Sequence, residues 1–370
     1  MVGCFKQVQI YYLQLIKYLS NVTKSLTLQV FVESLKVKLD FCCVNRIISL
    51  LIYYSFLVFN QTFAQTNILG FYNVENLFDT EDDPLINDAE FLPTGANQWT
   101  TERYFIKLQN MSSVLKGVNA DVIGLAEVEN RKVLEDLVQH PNLIAKRYQI
   151  IHFDMDDGRG IDVAMLYKPN VFKPFKIVKL PIQDPNEPRF KTRDILWVKG
   201  LFQGDTLHFI VNHWPSRSGG GKEDKRLLAA QVLRRAIDSV MVINPNSKMV
   251  MVGDFNDDPN NKSIKKILCA ENEKREEILV NASEPTFKKG YGTLYYNGIW
   301  NLFDQIIISK NLEQGVQHYV PSSFTVYVTP EMLEKEGRYA GAPRRTFRSG
   351  QFDENGFSDH LPVYIKITKQ

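Results

Sequence analysis

The chain has 370 residues, of which 44% are hydrophobic, 23% charged and 12% aromatic; this is ample material for a sizeable core and excludes a disordered tail. Its 44 basic residues against 42 acidic ones leave a formal charge of +2, which carries no global signature of nucleic-acid binding. Partner choice must come from local chemistry.

The first 64 residues hold six basic and two acidic residues, leaving 38 basic and 40 acidic in the other 306. Arg46 precedes thirteen uncharged residues, 47–59, and a small residue, Ala64, follows. A basic start, a short apolar run and a small exit residue predict a secretory signal peptide, with cleavage near Ala64 and a periplasmic or extracellular product. The run is short for a transmembrane helix; a buried core helix or a retained anchor is the plainer alternative. One explanation of the long stretch ahead of it is a start assigned too far upstream, with Val44 the expected initiator. Cys4, Cys42 and Cys43 belong to the leader, so Cys269 alone stays in the mature chain and has no partner for a disulfide. A lone thiol of this kind reads as a small core residue.

From Ile68 onward short apolar runs alternate with amphipathic stretches. Residues 68–72, 122–126, 163–167, 207–211, 249–252, 306–308 and 361–367 read as buried strands. Residues 102–118 carry Leu108, Met111, Val114, Leu115 and Val118 at helical spacing, and 223–243 carry Leu228, Val232, Ala236 and Val240. Two further strands, 173–180 and 197–202, have no helix between them, so the sheets should be mixed. The pattern predicts one α/β domain over 65–370 with helices covering sheets, and surface loops at 79–97, 181–193 and 321–355.

The carboxylates, amides and imidazoles fall where strands end. Residues 68–72 run into Asn73 and Glu75, 122–126 into Glu127, 207–211 into Asn212 and His213, and 249–252 into Asp254 and Asn256. Strand ends in α/β sheets converge on one crevice, so four polar endings suggest one shared site. Converging carboxylates raise one another's pKa unless a cation sits among them, and oxygen ligands without thiolates suit Mg²⁺ or Mn²⁺ better than Zn²⁺. Taken singly, each has a plainer reading: Glu127 as a solvated carboxylate, Asp254 and Asn256 as an Asx turn before Pro259, His213 or His360 as structural imidazoles. The plain account requires all of them to coincide.

Six segments, Tyr72-Asn73-Val74-Glu75-Asn76, Leu125-Ala126-Glu127-Val128-Glu129-Asn130, Asn212-His213-Trp214-Pro215-Ser216, Gly253-Asp254-Phe255-Asn256, Asp304-Gln305-Ile306-Ile307 and Ser358-Asp359-His360-Leu361-Pro362, resemble in residues and order the endonuclease/exonuclease/phosphatase superfamily. The resemblance implies a deoxyribonuclease I-like, four-layer α/β/β/α sandwich of two mixed sheets, with a metal-dependent phosphoester hydrolase site at one rim. By position it implies Glu127 as main metal ligand with Glu75 and Asp359, and Asn73 and Asn256 as amides that orient the phosphate. It implies Asp254 as the group that positions or deprotonates water, Asp304 as the carboxylate orienting His360, and His360 as the imidazole on the phosphate. His213 matches a second imidazole of the deoxyribonuclease branch, a general acid. Arg193 resembles a phosphate-contacting arginine of that branch, with a surface ion pair as the alternative, and Asp162 is the candidate to orient His213.

The leader places the enzyme among extracellular nucleic acid, phospholipid head groups and phosphorylated nutrients. Arg338, Arg344, Arg345 and Arg348 lie just ahead of Asp359 and could track a phosphate backbone, with Tyr339, Phe347 and Phe352 stacking on bases; the alternative is a solvated loop. The Ser/Gly-rich residues 216–221 also approach the substrate in this reading. The expectation is an exported Mg²⁺-dependent endonuclease on DNA or RNA phosphodiesters, without an obligate protein partner. A phosphatase or phosphodiesterase for small-molecule or lipid phosphoesters is the alternative; the lipid version calls for exposed apolar hairpins, and the sequence displays no clear one. A relic binding module would have lost a core site residue, and all are present.

Overall fold

Parallel neighbours in a sheet need a crossover, and the two amphipathic helices read from the sequence supply them. The structure, a computed structural model, describes residues 65–217, 223–270, 272 and 278–369. The leader with its apolar run and three cysteines, and residues 218–222 of the Ser/Gly loop, lie outside the described residues. β1 (Gln65–Leu77) leads through α1 (Thr101–Val118) to its parallel neighbour β2 (Val122–Val128). Next come α2 (Arg131–Gln139), β3 (Gln149–His152), β4 (Asp162–Tyr167), β5 (Phe172–Leu180), β6 (Ile195–Phe202) and β7 (Asp205–His213). α3 (Glu223–Ile243) then carries the chain to β8 (Lys248–Asp254), parallel to β7. After β9 (Leu279–Asn281) and α4 (Glu284–Lys288), the hairpin β10 (Leu294–Tyr296) and β11 (Ile299–Asn301) precedes β12 (Asp304–Ser309). Short strands β13 (Gln317–Tyr319), β14 (Thr325–Val326), β15 (Phe347–Arg348) and β16 (Gln351–Phe352) lead to β17 (Val363–Lys369).

The main strands form two mixed sheets, ordered β13-β17-β1-β2-β4-β3, with β14 also on β17, and β5-β6-β7-β8-β12-β9; β10-β11 and β15-β16 are separate two-stranded sheets. Leu69 and Phe71 of β1 face the other sheet while Tyr72 and Val74 face the helices, the two-residue alternation of a strand covered on both sides. Between the sheets lie Phe71, Val122, Phe209, Val211, Val252 and Ile306. α1 and α2 cover the first sheet through Leu108, Met111, Leu115, Leu134 and Leu137. α3 covers the second through Ala230, Leu233 and Ile237 against Ile210, Met249 and Met251. This is the four-layer α/β/β/α sandwich that the family resemblance implies. β5 and β6, on either side of the 181–194 loop, pair along their length, so both flanks of Pro181 belong to one sheet.

Three details differ from the sequence reading. α2 and β3 do not stand out in it because each is short, nine and four residues. Cys269 is half-buried, not a core residue, and its thiol donates to the Lys266 carbonyl. The 321–355 segment is not a free surface loop. Met332 and Ala342 are buried, and backbone hydrogen bonds tie Arg344 to Met332 and Phe357.

Gly124, central in β2, packs directly on the other sheet: a Cβ there would stand 2.9 Å from both Val211 Cγ1 and Val252 Cγ2. Branched valines cannot swing aside, so Gly124→Ala should cost about 1–3 kcal/mol by overpacking. Chemical denaturation measures this; an unchanged midpoint would mean that the sheets can part locally.

Candidate active site

Register builds the floor of the site. His213 ends β7 opposite Asp254, which ends β8, and Asp254 stands opposite Asp304, the first residue of β12. In-register partners on neighbouring strands share a face, so one rung carries an imidazole and two carboxylates side by side. The first sheet supplies Asn73 and Glu75 from β1, Glu127 from β2, and the 358–360 turn before β17. Here the backbone is bent. Register shifts interrupt β1 between Asn73 and Leu77 and β2 between Ala126 and Val128. Glu75, Asn76, Glu127 and Asn256 all adopt left-handed φ, 51°, 51°, 63° and 51°. Non-glycine residues hold that conformation at a cost of about 1 kcal/mol or more each, and bulges of this kind re-aim side chains next to active sites. One result is visible: the Asn76 N–H turns to donate to Glu127 Oε2 at 3.0 Å.

Asp254 is the hub. Its Oδ2 accepts from Asn73 Nδ2 at 3.1 Å and its Oδ1 from the Asn256 N–H at 2.9 Å. The same Oδ2 lies 3.7 Å from both His213 Nε2 and His360 Nε2. Asp304 Oδ2 pairs with His360 Nδ1 at 2.8 Å, which orients that ring as the resemblance implies. Ser358 Oγ donates to the Asn73 carbonyl and accepts from the His360 N–H, fastening the turn to β1.

The two imidazoles are driven to opposite states. Burial works against the charged form of His360, but Asp304 and Asp254 outweigh it and hold its pKa well above the ordinary value. Burial lowers His213, and the cations Arg193 and Arg159 lower it further, so it stays neutral. Its Nδ1 makes no hydrogen bond among the described residues. Asp162, the candidate to orient it, instead accepts from the Met155 N–H and pairs with His152 Nε2 at 2.9 Å. The two are not brought together. Arg193 is buried, donating to Asp157 at 2.7 Å and to the Trp214 carbonyl at 2.9 Å, so it is not a surface pair. Asn256 Nδ2 donates to that same carbonyl at 2.9 Å, which ties the amide to the wall.

Sequence reasoning missed Lys107 and gave Arg345 to a nucleic-acid backbone, whereas both are cations acting on Glu75. Burial, then Asp359, pushes its pKa up to about 7, while Arg345, Lys107 and the Thr346 N–H pull it back. Lys107, on α1 one residue before Leu108 of the buried stripe, is itself buried and donates to Thr346 Oγ1 and the Phe357 carbonyl at 2.6 Å. A lysine beside a helix's apolar stripe was the available signal. Burial brings it down to about 8 against the pull of Glu75, Asp359 and Glu127.

Five carboxylates, Glu75, Glu127, Asp254, Asp304 and Asp359, thus meet two fixed cations and one imidazolium. The ligating atoms of Asp254, Asp304 and His360 come within 4.8 Å of one another, and Asp304 Oδ1 is a buried oxygen without a hydrogen bond among the described residues. A surplus of oxygen donors with no thiolate fits a hard dication. Glu127 and Asp359 are the partly exposed carboxylates, with side chains 14% and 25% accessible, and form the mouth.

A hub carboxylate, a cationic imidazole and a surplus of oxygen donors at the rim of a two-sheet sandwich are what a phosphoester hydrolase calls for. The chain belongs to the endonuclease/exonuclease/phosphatase family, whose model matches residues 68–369. Among solved structures it is similar to an endonuclease/exonuclease/phosphatase family protein from Bacteroides thetaiotaomicron, with TM-score 0.53, 14% identity, and coverage of 83% of this chain and 99% of that one. A mannosyl-6-phosphatase of the same organism gives 0.53 at 15% identity, covering 81% and 99%. D. rerio TDP2 complexed with a single-strand DNA product gives 0.52 at 13% identity, covering 82% and 99%. No curated protein matches in sequence.

Asp304 sustains the charged form of His360, so Asp304→Asn should lower that pKa and move the alkaline limb of kcat/KM to lower pH. Turnover should fall about 10²-fold or more. A pH–rate profile with an unmoved limb would show that His360 does not act as a cation.

Proposed function

We propose that this chain is an exported, Mg²⁺- or Mn²⁺-dependent hydrolase of compact phosphoesters, phosphomonoesters or small diesters. The observation that carries the reading is how the arginines expected to track a nucleic-acid backbone are engaged. Arg344 is paired in a fork with Asp353 at 2.6 and 2.9 Å, and Arg348 with Glu334 at 2.9 Å. Arg345 turns inward to Glu75 and Asp359. Phe347 and Phe352 pack on Trp99, 5.7 and 6.1 Å between ring centroids, and Arg348 covers Tyr339 at 4.1 Å. A groove that follows a polynucleotide needs free cations and open rings, and among the described residues of this loop only Lys335 and Arg338 are exposed cations outside an ion pair. The solved mannosyl-6-phosphatase, a structural neighbour, supports a phosphorylated small molecule.

The ion would be held at the mouth by Glu127, with Glu75 and Asp359 beside it, where it would neutralise the phosphate oxygens and the departing alkoxide. Asp254, oriented by Asn73 and Asn256, accepts the proton of the attacking water. Burial raises its pKa to about 6 against the pull of His360, which makes it a base matched to neutral pH. His360, held charged by Asp304, presents Nε2–H to a phosphoryl oxygen. His213, neutral and buried, offers a hydrogen bond from the opposite side, a different role from the general acid implied by the resemblance.

A second reading, cleavage at a single-strand DNA end, is favoured by the β10–β11 hairpin. Leu294 bridges to His360, and Tyr291, Tyr296 and Ile299 are exposed in a run without charge from Tyr291 to Phe303. Such rings can stack on bases, and D. rerio TDP2 was solved with a DNA product. This hairpin is also the exposed apolar element that the sequence reading did not find.

The test is incubation of purified protein with a hexose 6-phosphate, a chromogenic phosphodiester, a choline phospholipid, single-stranded DNA and plasmid, with Mg²⁺ or with EDTA. Metal-dependent turnover of the small esters with intact plasmid is expected. Turnover of DNA alone would select the second reading, and inactivity on all substrates would end the hydrolase assignment. Glu127→Gln should chiefly weaken metal binding, seen by calorimetry, and His360→Ala should lower turnover about 10²-fold or more with metal binding retained. Cell fractionation, with sequencing of the mature N-terminus, tests export.

A further inference from the structure

We propose that Arg345 is a built-in second cation of the active site, a positioning residue that limits the pocket to a single divalent ion at Glu127. The proposal rests on the metal-dependent hydrolase reading above. Its ground is how completely Arg345 and its neighbour occupy the inner carboxylates. Arg345 Nε and Nη2 both reach Glu75 Oε1, each at 2.8 Å, and Nη2 also reaches Asp359 Oδ2 at 3.0 Å. The next residue's backbone N–H, Thr346 N, donates to the other oxygen, Glu75 Oε2, at 2.8 Å. Both oxygens of Glu75 are therefore engaged by one dipeptide. The planar guanidinium fork can bridge two carboxylates in this way, which a point-like ammonium does less well.

The arginine is held there by its frame. Arg344, just before it, is locked to Asp353, and its N–H and C=O bond Met332 and Phe357 at 2.8 and 2.6 Å. Thr346, just after it, accepts from the Asp353 N–H at 2.9 Å and receives Lys107 on its hydroxyl. The side chain remains 39% accessible. Burial works against its charge, but Glu75 and Asp359 outweigh that and make the cation permanent. A dication placed between Glu75 and Asp359 would displace the guanidinium or stand directly against it, with little water to screen the repulsion. Among the described residues Arg345 makes its ion pairs with Glu75 and Asp359 and none with Glu127, which leaves that carboxylate for an ion.

Titration calorimetry with Mn²⁺ on the purified protein, with Arg345→Gln and Arg345→Lys beside it, tests the idea. The wild type should bind one Mn²⁺ per chain and Arg345→Gln two, the second site appearing where the guanidinium was. Arg345→Lys should return to one, which a purely structural role would not require. Two ions on the wild type, or an unchanged single-site isotherm for Arg345→Gln, would overturn the proposal. If Arg345→Gln does not fold, the wild-type and Arg345→Lys stoichiometries decide, two ions on either counting against it. Absence of Mn²⁺ binding by the wild type would instead defeat the metal-dependent reading itself.

Discussion

The hydrogen bond from Asn73 to Asp254 joins the two halves of the molecule. Asn73 ends the regular part of β1 in one sheet and Asp254 ends β8 in the other, so the 3.1 Å contact closes the seam between them. The acidic rung of the second sheet can meet Glu75, Glu127 and the 358–360 turn of the first only if the sheets stay in register across that seam. Close packing at Gly124 sets their spacing, and Ser358, donating to the Asn73 carbonyl, brings His360 to the same point. A shift of one residue in either sheet would turn the carboxylates into the core.

Charge balance is the second constraint. Carboxylates next to buried strands are costly unless cations accompany them. The fold meets part of that demand with its own groups: Lys107 from beneath, Arg345 from the side, and the imidazolium of His360 above Asp304. What remains is concentrated at the open edge, where Glu127 is partly exposed to solvent. The inner residues are thereby held in place, and the outer ones are left to bind. The left-handed backbone at Glu75, Glu127 and Asn256 belongs to the same design, since an extended strand would point those side chains elsewhere.

Much of this was legible in the chain itself. Alternating apolar runs and helical stripes predicted the mixed sheets and the helices that cover them. Polar residues at the ends of four strands predicted a common pocket, because strand termini in such folds meet in space whatever their separation in sequence. Asp304 and His360, 56 positions apart, are paired as their motifs imply. Local pattern could not reveal which long-range partner each charged group takes. Arg344, Arg345 and Arg348 look alike as a basic loop, yet each has a different acid as its partner. Asp162 sits near the right strand but belongs to His152.

The amino-acid order alone therefore determined the fold class, the family and most of the residues that meet in the pocket, since these depend on periodicity and on short motifs that survive without coordinates. Tertiary structure alone decided the protonation of the two imidazoles, the inward turn of Arg345 and the exposure of the β10–β11 hairpin. Those properties depend on burial and on distances between groups hundreds of residues apart, and neither quantity is encoded in any single segment.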